Sequence, residues 1–166
     1  MSVRNNAELG ENLQKIVARL MANDNLVKYL YYTDKDPLSQ INLTEEQKRK
    51  EVFEKLIKIV PRVGPKETAH SIVTVRVASA HRANLNSEFK NIIISIEVFV
   101  PLTQWILKSD NLRPFLILGE IEKSLKGKTI NGLGKIDGGD FDLNFLTEEI
   151  ACYETIYTIT IITPIP

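Results

Sequence analysis

The segment from Ile92 to Val100 constrains the fold most, because apolar residues alternate strictly along it. One face of a strand with this sequence is wholly apolar and comprises Ile92, Ile94, Ile96, Val98 and Val100. The other face is only partly polar and comprises Ile93, Ser95, Glu97 and Phe99. This pattern is typical of a central strand that is covered on both sides. The same alternation over residues 73–77 predicts a second, half-buried strand.

Apolar residues at helical spacing predict three helices and a short helical turn. The helices cover residues 7–22, 44–60 and 112–126, and the turn covers residues 25–31. A capping box at Thr44-Glu45-Glu46-Gln47 opens the second helix. The third helix is apolar nearly all round in its first half, as expected of a segment that is deeply buried or faces another subunit.

Two strand regions complete the predicted fold. They cover residues 129–136 and 153–162, and Asp137-Gly138-Gly139-Asp140 predicts a turn after the first. Residues 141–150 fit neither element clearly. The order is therefore αα-ββ-α-ββ, and we predict a single domain over residues 1–166. Its class is α+β, with an antiparallel or mixed sheet of about four strands flanked by helices.

The charge composition and the lengths of the apolar runs argue against several functional classes. The 166 residues include 21 basic and 21 acidic side chains, so the overall charge gives no sign of a nucleic-acid-binding protein. No apolar run approaches the roughly 20 residues of a membrane span, and residues 1–8 contain no apolar signal core. Residues 127–166 hold 2 basic and 6 acidic side chains, a net charge of −4, so the last third is locally acidic.

Sequence motifs for nucleotide and calcium binding are incomplete. Gly127-Lys128-Thr129 is similar to the end of a phosphate-binding loop, but Glu122 occupies the position that requires glycine. The spacing of Asp137, Asp140 and Asp142 does not match a calcium-binding EF-hand loop. We therefore expect no cofactor and no metal site.

Nucleophilic chemistry has equally little support in the sequence. His70, His81 and Cys152 are the only soft ligands, and no two lie in a short zinc-binding pair. A Cys–His catalytic pair requires that the fold bring distant residues together, and Cys152 at the start of an apolar strand is more typical of a buried side chain. We predict a binding or assembly protein, not an enzyme.

Several segments together carry a family resemblance. They are residues 31–38 (Tyr-Tyr-Thr-Asp-Lys-Asp-Pro-Leu), Ile59-Val60-Pro61, 92–101, Leu112-Arg113-Pro114-Phe115, 127–134, and the last strand with Tyr153 and Tyr157. This pattern resembles the tail terminator (tail-completion) proteins of long-tailed bacteriophages. The resemblance implies an α/β fold whose mixed or antiparallel sheet is flanked by helices. It also implies a six-membered ring that caps the head-proximal end of the tail tube and has no catalytic residues.

Partners and location follow from this resemblance. The chain is expected to bind copies of itself, the tail tube protein, and a neck or head-closure protein. DNA is expected to pass through the lumen without specific binding, and no membrane is involved. The protein is then a virion component of the tail or neck that is assembled in the host cytoplasm.

Two sets of residues are candidates for these contacts. The subunit or tube interface is predicted to include Arg82, Leu85, Phe99, Phe115 and Leu116. Arg82 and Leu85 lie in the connector 81–91, which is longer than a tight hairpin loop and long enough to reach a neighbour. Acidic residues predicted to face the channel are Asp137, Asp140 and Asp142, because repulsion of phosphates prevents trapping of DNA.

Three other interpretations stay open on the sequence alone. One is another ring of the phage neck, such as a head-closure or connector protein. Another is a small ligand-binding or enzymatic domain with a cleft near His70, His81 or Arg113. The last is a plain monomeric domain with no large apolar interface.

Overall fold

The computed structural model describes residues 9–59, 69–83, 86–130 and 134–162. The helices are α1 (Leu9–Met21), α2 (Asp24–Tyr31), α3 (Glu45–Gln47, continued by a π-helix over Lys48–Val52) and α4 (Arg113–Leu125). The strands are β1 (Ile57–Lys58), β2 (Ile72–Ala83), β3 (Asn86–Pro101), β4 (Ile136–Leu146) and β5 (Ile150–Ile162). The predicted α+β class is confirmed.

The five strands form one mixed sheet in the order β1-β2-β3-β5-β4. The two-residue strand β1 pairs parallel to β2, and all other pairs are antiparallel. The long strand β3 lies in the middle, and both of its faces are buried over residues 94–100, as the alternating pattern predicts. The strand β4 forms one edge of the sheet.

Helices α1, α2 and α4 pack on one another and cover one face of this sheet, which we call the proximal face. Its buried side chains include Val73, Val75, Ile92, Ile94, Ile96, Val98, Tyr157 and Ile159. The helices bury their apolar stripes against these residues, mainly through Ile16, Leu20, Ile117 and Ile121. Helices α1, α2 and α4 start and end close to their predicted limits. We call the opposite side of the sheet the distal face.

The second helix is much shorter than its apolar spacing predicts. Its capping box is present, because the Thr44 hydroxyl accepts from the Gln47 amide and the Gln47 side chain accepts from the Thr44 amide. The helix ends at Val52, and Glu54 adopts a positive φ of 56° that turns the chain. Ile57 therefore lies in β1, where its side chain is buried in the core as the helical stripe also predicted.

The turn predicted at 137–140 is also wrong. These residues lie inside β4, where Gly138 and Gly139 have φ values of 119° and 104° and form a bulge opposite β5. A side chain at Gly138 would collide with the carbonyl oxygen of Ile156, so the close approach of the two strands requires glycine. The chain continues as a strand because a bulge adds one residue without reversing direction.

Other strand limits differ from prediction as well. The connector 81–91 is largely strand, because β2 runs to Ala83 and β3 begins at Asn86. Among the described residues of the region 129–136, Thr129 and Lys135 form an isolated bridge, and β4 begins at Ile136. The ambiguous segment 141–150 supplies most of β4. Its pairing with β5 could not be read from the local sequence.

Arg113 joins the start of α4 to the chain that follows α2. Its side chain is fully buried and donates to the backbone carbonyl oxygens of Gln104 (3.0 Å), Tyr29 (2.7 Å), Tyr32 (2.8 Å) and Asp34 (2.5 Å). Burial lowers the pKa of this guanidinium, an effect that Asp34 opposes. The rigid, planar group satisfies four carbonyls at once, which an ammonium on a flexible stem does not do in the same geometry.

We expect Arg113→Lys to lower the free energy of unfolding by about 3 kcal/mol, because it leaves buried carbonyl oxygens without donors. Denaturant unfolding followed by circular dichroism measures this change. Arg49→Lys, at an exposed position, serves as the matched control and should change stability by less than about 0.5 kcal/mol. Equal stability of the two variants would contradict the role assigned to Arg113.

Candidate interaction surfaces

A polar network occupies the centre of the distal face. The Arg76 guanidinium lies 3.3 Å from the Glu97 carboxylate and 3.3 Å from the Glu154 carboxylate. Ser95 donates to Glu154 at 2.5 Å and accepts from Arg76 Nε at 3.3 Å. One cation thus separates two carboxylates that would otherwise repel each other.

Glu97 is the most buried carboxylate of this network, with only 8% of the residue exposed. Besides Arg76, it accepts hydrogen bonds from the Thr74 hydroxyl at 3.1 Å and from the Asn144 amide at 2.9 Å. The network therefore takes at least one side chain from each of β2, β3, β4 and β5. Since both Glu97 oxygens are already bonded, its evident role is to connect strands.

Cys152 lies beside this network and is fully buried. Burial, together with the nearby Glu97 carboxylate, raises the pKa of the Cys152 thiol to about 12. The strand pairing places His81 opposite Asn91, which pairs with Thr160, so about 27 Å of strand separates this histidine from Cys152. His70 instead contacts the Tyr31 carbonyl oxygen through Nδ1 at 3.1 Å. These positions do not assemble a thiolate and a base.

Three aspartates form an exposed line on the distal face of β4, which we call the acidic row. Asp137, Asp140 and Asp142 pair with Thr158, Ile156 and Glu154 of β5. Alternation alone would put Asp137 and Asp140 on opposite faces, because they are three residues apart. The bulge absorbs the extra residue, so all three side chains share the distal face.

Few cations reach this edge of the sheet. Strands β4 and β5 carry no lysine or arginine. Lys135, just before β4, lines a shallow groove with Asp137, Thr158 and Thr160. Lys126, which follows α4 directly, is bound to Glu122 at 2.7 Å and interacts electrostatically with Asp137 and Asp140. Among the described residues, none of the three aspartates of the acidic row forms a direct ion pair.

An aromatic patch lies on the proximal face of the same edge. It comprises Trp105, Phe115, Phe141, Leu143 and Tyr153. Phe115, Phe141 and Tyr153 contact one another with ring-centroid separations of 5.4 to 6.0 Å. Trp105 lies 6.2 Å from Tyr153, and Leu143 is paired directly with Tyr153. Phe115, Phe141 and Leu143 are 41%, 47% and 52% exposed, so the patch meets solvent.

The predicted interface residues have different surroundings. Phe115 is exposed in the aromatic patch, and Leu116 is half-buried against the core. Phe99 is buried, 8% exposed, and packs on Phe145 of β4 at 5.8 Å, so it is not available on the isolated chain. The side chains of Arg82 and Leu85 lie outside the described residues.

Sequence reasoning missed the polar network and Phe141. A glutamate within an apolar strand, Glu97, was the available signal for a buried ion pair. Its partners come from two other strands, β2 and β4, so only the strand pairing identifies them. Phe141 was missed because its segment was not assigned to a strand.

Within the described ranges, no helix is long and apolar enough to cross a membrane. The same residues contain no group of three or more histidine, cysteine, aspartate or glutamate side chains arranged to hold a metal ion.

Fold and surfaces define an α+β protein whose edge strand, over residues 137–143, displays carboxylates on one side and aromatic and apolar side chains on the other. The chain belongs to the YomW family, which matches residues 23–159. This is a phage-derived family, so the chain is a phage-associated protein. No curated protein matches the sequence.

We expect Cys152 to resist alkylation at pH 8 in the folded protein, because a thiol with a pKa near 12 is protonated there and is also buried. Iodoacetamide labelling followed by mass measurement tests this, with denatured protein as the positive control. Cys152→Ala should leave assembly unchanged. Loss of activity in a folded Cys152→Ala protein would indicate a nucleophile instead.

Proposed function

We propose that this phage protein is a tail terminator that acts by binding and catalyses no reaction. In this proposal, six copies form a ring that caps the head-proximal end of the tail tube. The ring stops tube polymerisation and offers a surface to the neck. The observation that carries the proposal is the edge strand β4, which over residues 137–143 separates exposed carboxylates on the distal face from exposed aromatic and apolar side chains on the proximal face.

The acidic row suits a surface that faces passing DNA. Asp137, Asp140 and Asp142 are exposed on one face of β4. Lysine and arginine side chains of a protein retain DNA because they replace the counterions on its phosphates. Carboxylates repel those phosphates, so DNA would slide past this face without being retained.

The aromatic patch suits assembly. Exposed large apolar side chains are common singly, whereas a contiguous group marks a contact site on a soluble protein. Here Phe115, Phe141 and Leu143 adjoin the partly covered Trp105 and Tyr153. Burial of this group against another subunit would remove its apolar surface from water, which favours association.

Native mass measurement of the purified protein, alone and with isolated tail tubes, tests the function. We expect rings of six subunits that bind one end of the tube and prevent added tube protein from extending it. Binding to a neck or portal component without any effect on tube length would favour another neck ring. A protein that stays monomeric and leaves tube growth unchanged would overturn the proposal.

Reversing the charge of the acidic row should impair DNA passage while sparing assembly. We expect the triple variant Asp137→Lys, Asp140→Lys, Asp142→Lys to lower infectious titre by more than about tenfold, because lysines at a lumen retain phosphates. Complementation of a phage that lacks this gene, with electron microscopy of the particles, measures both effects. The matched triple change to Asn removes charge without adding cations and should be much milder. Equal titres for the Lys and Asn variants would contradict a position on the DNA path.

A further inference from the structure

We propose that the aromatic patch of one copy binds the surface around Phe53 of the next copy, so that the ring is built head to tail. This inference rests on the proposed ring and identifies its two contact surfaces. In this arrangement, a second copy of this chain covers the patch.

The two surfaces lie at opposite edges of the sheet. The patch adjoins β4, the last strand in the order β1-β2-β3-β5-β4. Phe53 forms a bridge to Ile57 of β1 at the other end of that order. Five strands about 4.8 Å apart separate these edges by roughly 19 Å. Two different patches on opposite sides of a subunit generate a head-to-tail contact, which closes into a ring when the rotation permits.

A groove with an apolar part lies at the β1 edge. Phe53 is 39% exposed and borders a groove of about 470 Å³. The apolar part of this groove is lined by Ala18, Met21, Ala22 and Phe53. An aromatic side chain from a neighbour, such as Phe115, would meet apolar atoms there.

Charge favours this pairing over contact between two β4 edges. Residues 136–166 contain no lysine, arginine or histidine, so two β4 strands brought together would oppose carboxylate to carboxylate. At the other edge Arg49 and Lys50 are exposed, and neither forms an ion pair with a described residue. The groove itself is lined by Asp24 and Glu45, which are bound to Lys48, and by Arg49. Contact between the patch and the groove therefore avoids the repulsion between two β4 edges.

A mixing experiment distinguishes head-to-tail assembly from symmetric pairing. Phe115→Asp removes the patch, and Phe53→Asp removes the groove contact. Each variant alone should raise the subunit dissociation constant by about thirtyfold or more and lose its rings, as for an interface hot spot. Mixed together, they keep one intact patch and one intact groove, so they should form 1:1 dimers that grow no further. Sedimentation velocity and native mass measurement detect these species.

Controls keep the outcomes separate. Leu38→Asp, at a position 43% exposed outside both surfaces, should retain rings. Circular dichroism verifies folding, and Leu143→Asp and Arg49→Glu replace either variant that fails to fold. If the wild-type chain forms rings and the single variants form rings as well, this interface is wrong and the proposed function still stands. The same holds if the wild-type chain forms rings and the two variants give no dimer when they are mixed. A wild-type chain that neither forms rings nor caps tubes would overturn the proposed function as well.

Discussion

A carboxylate buried in the middle of the sheet sets the strictest requirement in this structure. Burying a charge is unfavourable unless it is paired and hydrogen-bonded, and Glu97 meets this condition through side chains from two other strands. Thr74 and Arg76 come from β2 and Asn144 comes from β4, while Arg76 also holds Glu154 of β5. A shift of one residue in any strand would move its member to the other face. The network therefore favours a single register, and the two surfaces of β4 depend on that register.

Much of the scaffold could be predicted because its apolar residues follow regular periods. The central strand 92–100 and the helices α1, α2 and α4 owe their burial to local patterns that the sequence displays directly. The second helix could not be delimited this way. Val52, Leu56 and Ile57 are spaced like a helical stripe, although Leu56 and Ile57 reach the core after the helix has ended. Tertiary packing buries the same apolar side chains, although the backbone that carries Leu56 and Ile57 is not helical.

The candidate surfaces were predictable only in part. The all-round apolar start of the third predicted helix indicated Phe115, because such a segment is either deeply buried or faces another subunit. Phe99 gave the same apolar signal but is covered by Phe145, a residue of the segment that the sequence left unassigned. The three aspartates were recognised as an acidic group, yet their common face depends on the backbone conformation of two glycines. Such information resides in strand pairing rather than in local composition.

The bulge at Gly138 and Gly139 also makes the length of β4 a determinant of its chemistry. Removing one residue there would restore simple alternation and rotate the strand beyond it by half a turn relative to its partner. Asp140 and Asp142 would then point at the helices, and Phe141 and Leu143 would point away from them. Substitutions at most exposed positions of β4 are compatible with the fold. An insertion or deletion at this pair of glycines would instead exchange the side chains that face the helices with those that face away from them.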